Sequence, residues 1–496
     1  MSDYLPKDVL VDILSKLPLK TLVQCTTVCK SWYSIIINPN FISLHHNTHI
    51  TTSGRRPLLF VRHYNMFDKV ERYALHFDDE ELEDSSDADS FEEYLELKCP
   101  ERSRSEYLRI VGCCNGLICL SDDYDKFTDT VVLWNPIIRK HVGLPNPNLG
   151  YNGRGSCIYG FGFDGVKHDY KVVRVVYNST ATEDYKLQIP PTIEFLDKLR
   201  AVKFLVPPGV EVYSLSSGVW RTISDAFPSY ILHQNHSVST YLNGAVHWIA
   251  SHSSDDDDDG NGNSNNDSNS SSSSSSSCNN KDCSFIVAFD VGTEKFGEIS
   301  LPDSVAERNV MKLDVMITGT SLALIEYEKF WQSDYCWIWV MKEYGAVKSW
   351  SRLHNIDLRG GFRNIVGFRT HGELLISARM VGMVSYNPKR RNISYLGIHG
   401  TNRSFHGEPF FESLALVGKK DRFAQQANSR FAQQENSTTD VVQEVGSVLD
   451  NGEDGSVLDN GGDGTVLDNG GDGTVLDNGG DGTVLDNGGD GTEEHT

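Results

Sequence analysis

The 496-residue sequence has no apolar run approaching 18 residues, so it offers no membrane-spanning helix. No positively charged start precedes an apolar segment, so the chain is expected in the cytosol, the nucleus or both, with no membrane partner. It has ten cysteines but no CxxC pair, and no four ligands at recognisable zinc spacings. The thiols therefore read as reduced core residues, with neither a metal nor a cofactor expected. No HExxH, GxSxG or Walker-type phosphate loop occurs, and the 16 histidines are scattered. The Gly160 and Gly162 stretch "YGFGFDG" lies in a strand-like hairpin with no helix after it and reads as turn chemistry. Catalytic residues are not expected. No Lys/Arg cluster tracks a phosphate backbone, which argues against nucleic acid as a partner.

Charge is plentiful but unevenly placed. The net −23 is carried by Asp78 to Glu93, by Asp255 to Asp259 with Asp267, and by the stretch Thr438 to Thr496, which has 15 acidic residues and no Lys or Arg. What remains is a mildly basic body. Residues 253–282 form an acidic Ser-rich stretch that cannot bury enough apolar area to offset chain entropy, and are expected to be a disordered loop. Residues 418–496 contain an eight-residue duplication and five copies of Val-Leu-Asp-Asn-Gly at a period of nine, and are expected to be a disordered tail. Neither segment fits a calcium site. The loop places Asn266 where an EF-hand needs its bidentate Glu. The tail places Val466 and Asp468 at the two key positions of a calcium-binding β-helix repeat.

Between residues 57 and 417 short apolar strands alternate with turn residues. A phrase recurs in which a strand ends on a large residue and a second one follows seven places later. The pairs are Trp134 and His141, Tyr213 and Trp220, Phe289 and Phe296, and Tyr386 and Ile393, with Val340 and Trp350 across a longer turn. That spacing is a hairpin. A Gly-led strand precedes most copies, as in "NGLICL" and "NGAVHWIA". With the acidic loop and an extra segment from Asn178 to Gly209 set aside, the period is near 47 residues with four strands per unit. This is the range of propeller blades, and a first unit around "RYALHFD" brings the number to about six.

The front of the chain is different. Val9, Leu10, Ile13, Leu14 and Leu17 fall at helical spacing after Leu5-Pro6, and Pro18 starts a second helix. From Leu19 to Trp32 the apolar residues span roughly 220° of helix surface, well beyond an ordinary stripe of ~100°. About forty residues cannot cover that surface alone. One side must face a partner chain or the β body, and a linker-like stretch at residues 46–56 favours an external partner. The fold class is thus mainly β with a small α-helical N-terminal domain (α+β overall), with a β-propeller-like body of about six blades.

Leu5-Pro6, Val9, Ile13-Leu14, Leu17-Pro18, Leu22 and "VCKSW" at Val28 to Trp32 resemble an F-box, over residues 1–45. The strings "CNGLICL", "LWNP", "GFGFD", "DYKVVRV", "VEVYSLSSGVWR", "NGAVHWIA", "FIVAFDVGTEKF" and the closing "FFESLALV" resemble the F-box-associated domain of plant F-box proteins, of kelch-like propeller type. "WVMKEYG" followed by "SW" is similar to the S-locus F-box group. The resemblance implies a non-catalytic substrate receptor of an SCF-type ubiquitin ligase, linked through a Skp-type adaptor to a cullin and a RING subunit. Carried over residue by residue, the adaptor-docking set is Leu5, Pro6, Ile13, Leu14, Leu17, Pro18, Leu22, Val28 and Trp32. A protein target is implied for the β domain: a pistil ribonuclease if the S-locus likeness is functional, otherwise an immune receptor or metabolic enzyme. A propeller binding module unconnected with ubiquitin is the alternative. Tyr185, Phe195 and Phe204, aromatics among charges in the Asn178 to Gly209 segment, are the candidate target contacts.

Overall fold

The computed structural model describes residues 5–51, 56–65, 70–79, 91–100, 108–122, 130–150, 156–179, 204–223, 230–233, 238–252, 283–329, 333–401 and 404–419. The expectations for residues 253–282, for the tail beyond 419, and for Tyr185 and Phe195 lie outside the described residues.

Four helices come first: α1 (Lys7–Ser15), α2 (Leu19–Cys25), α3 (Lys30–Ile36) and α4 (Pro39–Thr51). Helix α4 therefore continues through residues 46–51, which the sequence suggested as linker.

The strands that follow form six antiparallel sheets among the described residues, making a six-bladed β-propeller. Blade 1 holds β1 (Leu58–Asn65), β2 (Val70–Phe77) and β3 (Glu93–Leu97). Blade 2 holds β4 (Arg109–Cys114), β5 (Leu117–Asp122), β6 (Thr130–Asn135) and β7 (Lys140–Gly143). Blade 3 holds β8 (Ser156–Asp164), β9 (Asp169–Ser179), β10 (Phe204–Ser214) and β11 (Val219–Ile223). In blade 4 the innermost strand is split into β12 (Tyr230–His233) and β13 (Thr240–Leu242), both paired with β14 (Ala245–His252), before β15 (Ser284–Asp290) and β16 (Lys295–Ser300). Blade 5 holds β17 (Leu313–Thr318), β18 (Ser321–Tyr327), β19 (Tyr335–Met341) and β20 (Trp350–Asp357). Blade 6 holds β21 (Phe362–Phe368), β22 (Leu374–Ala378), β23 (Gly382–Asn387) and β24 (Asn392–Ile398).

The last strand, β25 (His406–Phe410), returns to blade 1 and pairs with β1, from Leu58 opposite Phe410 to Arg62 opposite His406. The ring is thus closed by the end of the propeller supplying the innermost strand of its first blade.

Each seam between blades has its own apolar cluster, and period-two alternation feeds two of them from a single strand. On β9, Val172 joins the cluster between blades 2 and 3, while Val173 and Val175 join the one between blades 3 and 4. Leu59 and Val61 of β1 meet Leu375 and Met383 across the closing seam.

The seven-residue pairs are the hairpins of the outer two strands. Trp134 stands opposite His141, Tyr213 opposite Trp220, Phe289 opposite Phe296 and Tyr386 opposite Ile393. In blade 5 the longer turn displaces the register by one, so Trp350 faces Met341 rather than Val340.

Two further expectations are corrected. The strand-like hairpin at Gly160 and Gly162 is β8 with β9, but the two glycines lie within β8 and not in its turn. A Cβ on Gly160 would overlap Trp248, and one on Gly162 would come within 2.6 Å of Tyr241, so glycine lets blade 4 approach this strand. The extra segment expected from Asn178 to Gly209 begins and ends as strand, with a register irregularity between Leu205 and Gly209.

Candidate functional site

The helical domain is built by proline starts and by one sulfur cap. Pro6 and Pro18 precede α1 and α2, where a missing N–H leaves no helical bond unmade. Before α3 the Cys29 Sγ accepts the backbone N–H of Trp32 at 3.5 Å. Two adjacent apolar rows run along α1, each at i, i+4 spacing. Leu10 and Leu14 point inward to meet Leu19, Leu22, Cys25, Ile35, Ile36 and Phe41. Val9 and Ile13 form the second row and are exposed at 42% and 45%, and Leu5, just ahead of the helix, is exposed at 46%. Val28, between α2 and α3, is exposed at 61%.

These exposures sort the expected docking residues. Leu5, Pro6, Ile13, Pro18 and Val28 are open to solvent, and Leu17 and Trp32 are half-buried. Leu14 and Leu22 are fully buried and are core positions of the helical domain in this structure. Val9 and Tyr33 are exposed apolar side chains outside that set. The i, i+4 relation of Val9 to Ile13 was the signal that could have found Val9.

The opposite face of the helical domain rests on one end of the propeller. Its core is completed by Leu414, fully buried, with Ile137, Ile138 and Val417 packed against it. Leu414 follows β25 directly, so the strand that closes the ring also delivers this side chain. Asn135 of the "LWNP" string fixes the arrangement. Its Nδ2 donates to the carbonyls of Ser413 and Ala415, both at 2.8 Å, and its Oδ1 accepts the N–H groups of Ile137 and Ile138. Ser43 of α4 hydrogen-bonds His168 Nδ1 at 2.8 Å. Burial holds the His46 imidazole below its ordinary pKa, against the opposing hydrogen bonds with the Glu412 carbonyl and the Asn115 side chain.

Asn115, Ile137, Ile138 and His168 all lie in turns joining the first strand of a blade to its second, or the third to its fourth. Those turns share one end of the ring. Connections between second and third strands leave from the other end. They include the two long intervals between β9 and β10 and between β14 and β15. Met380, in the corresponding turn of blade 6, is 93% exposed there with Val381 beside it. Phe204, the one candidate target residue among those described, is the first residue of β10 at that same end. The chain thus carries exposed apolar side chains on its helical domain, and the strands flanking its two longest intervals end at the far end of the ring.

Among the described residues no helix is long and apolar enough to cross a membrane. The family model described as F-box associated beta propeller domain matches residues 64–410, and the one described as F-box-like matches residues 2–43. Three relatives from Arabidopsis thaliana are similar over most of their length. F-box protein At3g07870 is 24% identical, with 82% of this chain and 90% of the relative covered. F-box protein CPR1 is also 24% identical, with 84% and 90% covered. F-box/kelch-repeat protein At3g23880 is 28% identical, with 71% and 79% covered.

Proposed function

Because the chain belongs to the F-box proteins that carry an F-box associated β-propeller domain, we propose that it is the non-catalytic substrate-recognition subunit of an SCF-type ubiquitin ligase. The helical domain docks a Skp-type adaptor, and through it a cullin and a RING subunit. The propeller holds a protein target for ubiquitination. The observation that carries this reading is the outward row Val9 and Ile13 on α1, with the exposed Leu5 and Val28 beside it. These residues stay exposed although the core beneath them is complete. Apolar side chains at helical spacing over a finished core suit the face of a partner protein.

Ile13→Asp and Val9→Asp are each expected to weaken adaptor binding at least thirtyfold, about 2 kcal/mol or more per buried anchor. Both positions are solvent-exposed in the free chain, so the melting temperature should be unchanged. Co-purification of each variant with a Skp-type adaptor is the measurement. Full recovery of both variants would contradict the docking face.

Target recognition is proposed for the end of the propeller away from the helical domain. The blade strands are fixed by packing on both faces, whereas connections can vary in length and composition. Tyr185, Phe195 and Phe204 are the proposed contacts. Replacing residues 185–198 by a Gly/Ser linker should reduce capture of targets from a plant extract treated with a proteasome inhibitor, with adaptor capture unchanged. Undiminished target capture by this variant would place recognition elsewhere on the ring.

A further inference from the structure

The seam between blades 1 and 2 holds a group that the proposed function does not use. His406 and Glu408 lie two residues apart on β25, so they project from the same face of that strand. Cys113 lies on β4, the innermost strand of blade 2. The Cys113 Sγ, a ring nitrogen of His406 and a carboxylate oxygen of Glu408 all lie within 4.8 Å of one another. His406 Nε2 is 2.9 Å from Glu408 Oε1. The Phe60 ring packs beside the imidazole with centroids 5.9 Å apart. Among the described residues no other trio of His, Cys, Asp and Glu brings its donor atoms this close.

We propose that Cys113, His406 and Glu408 bind a divalent transition metal ion of the zinc class, which clips the ring-closing strand β25 to blade 2. Tetrahedral zinc takes sulfur, nitrogen and oxygen donors at about 2.0–2.3 Å, which puts the donors roughly 3.3–3.8 Å from one another. Small rotamer changes bring the three atoms to that spacing. Water fills the fourth position. One soft thiolate and one imidazole favour zinc over calcium or magnesium, which prefer oxygen donors alone. The site is reachable, since the Glu408 side chain is 30% exposed and that of His406 12%. Sequence spacing could not reveal it, because Cys113 and His406 meet only through closure of the ring.

The test is titration of the tag-free, metal-stripped full chain with Co2+, a spectroscopic substitute for zinc. One equivalent should produce the visible bands of tetrahedral cobalt and a near-ultraviolet thiolate-to-cobalt charge-transfer band, both erased by added Zn2+. Cys113→Ser should lose the charge-transfer band, and Cys157→Ser, a thiol elsewhere in the propeller, should keep it. His406→Gln and Glu408→Gln should each weaken cobalt binding at least tenfold. Zn2+ should raise the melting temperature of the unaltered chain and not that of Glu408→Gln, a readout that stands even if Cys113→Ser fails to fold. A charge-transfer band that persists in Cys113→Ser, no stoichiometric binding to the unaltered chain, or an equal zinc-induced rise in Glu408→Gln would overturn the site.

Discussion

Glu211→Ala is expected to lower the stability of the propeller by about 3–5 kcal/mol, the cost of breaking a buried ion pair by removing one partner. Glu211 and Arg174 are direct cross-strand partners on β10 and β9, and both side chains are completely buried. Arg174 Nη1 lies 2.7 Å from Glu211 Oε1. The second carboxylate oxygen accepts the backbone N–H groups of Asn148 and Leu149, at 2.9 and 3.2 Å. Arg174 also donates to the Tyr159 hydroxyl and to the Leu149 carbonyl. Alanine would take the shared carboxylate away from the guanidinium and from two amide groups in a closed interior. Replacing both partners, as Arg174→Met with Glu211→Leu, should cost less than Glu211→Ala, because no uncompensated charge remains. Chemical unfolding of the three chains is the measurement. A loss below about 1 kcal/mol for Glu211→Ala would show that the pair is not what holds this corner of blade 3.

Leu414→Ala is expected to destabilise the helical domain by about 2–5 kcal/mol, the usual cost of emptying a fully buried leucine position. The effect should appear far from the substituted residue in sequence. Leu414 follows the last propeller strand, yet it fills the core made by α1 to α4. Proteolysis within residues 5–51 should accelerate and adaptor capture should fall, although none of Leu5, Val9, Ile13 and Val28 is altered. The propeller should keep its own unfolding transition. Limited proteolysis with mass spectrometry separates the two parts. Unchanged cleavage of the helices would mean that they hold together without the C-terminal segment.

Periodicity made the body of the fold legible. The large residues seven places apart became cross-strand neighbours in four blades, and the ~47-residue repeat became a ring of six. Local patterns could not show contacts made by closure. The string "FFESLALV" reads as a family hallmark, but its work is to carry Leu414 into the helices while Asn135 of "LWNP" grips the carbonyls of Ser413 and Ala415. The string "DYKVVRV" hides two buried cations. Besides Arg174 it contains Lys171, which reaches Asp164, Glu294 and the Val291 carbonyl and so ties blade 3 to blade 4. Polar letters in a strand look like solvent-facing positions unless the partners across the seam are known.

The helical domain was legible as an apolar segment too wide for its own core. The β body accounts for part of its surplus face. One side is covered by the end of the propeller, and another leaves Leu5, Val9, Ile13 and Val28 uncovered. On α1 the inward row, Leu10 and Leu14, and the outward row, Val9 and Ile13, are adjacent on the helix surface. Helical spacing alone could not say which row was core, so Leu14 and Leu22 entered the docking set and Val9 did not. The expected linker failed for a related reason. Residues 46–51 lack a clear apolar stripe of their own, yet they continue a helix that His45 and His46 anchor by burial.

Hydrogen exchange of the full chain, with and without a Skp-type adaptor, tests the central claim most directly. The account predicts new protection at residues 5–15 and around Val28, where the outward row becomes covered, and none in strands β1 to β25. Protection confined to the propeller, with α1 and the Val28 turn exchanging as in the free chain, would contradict it.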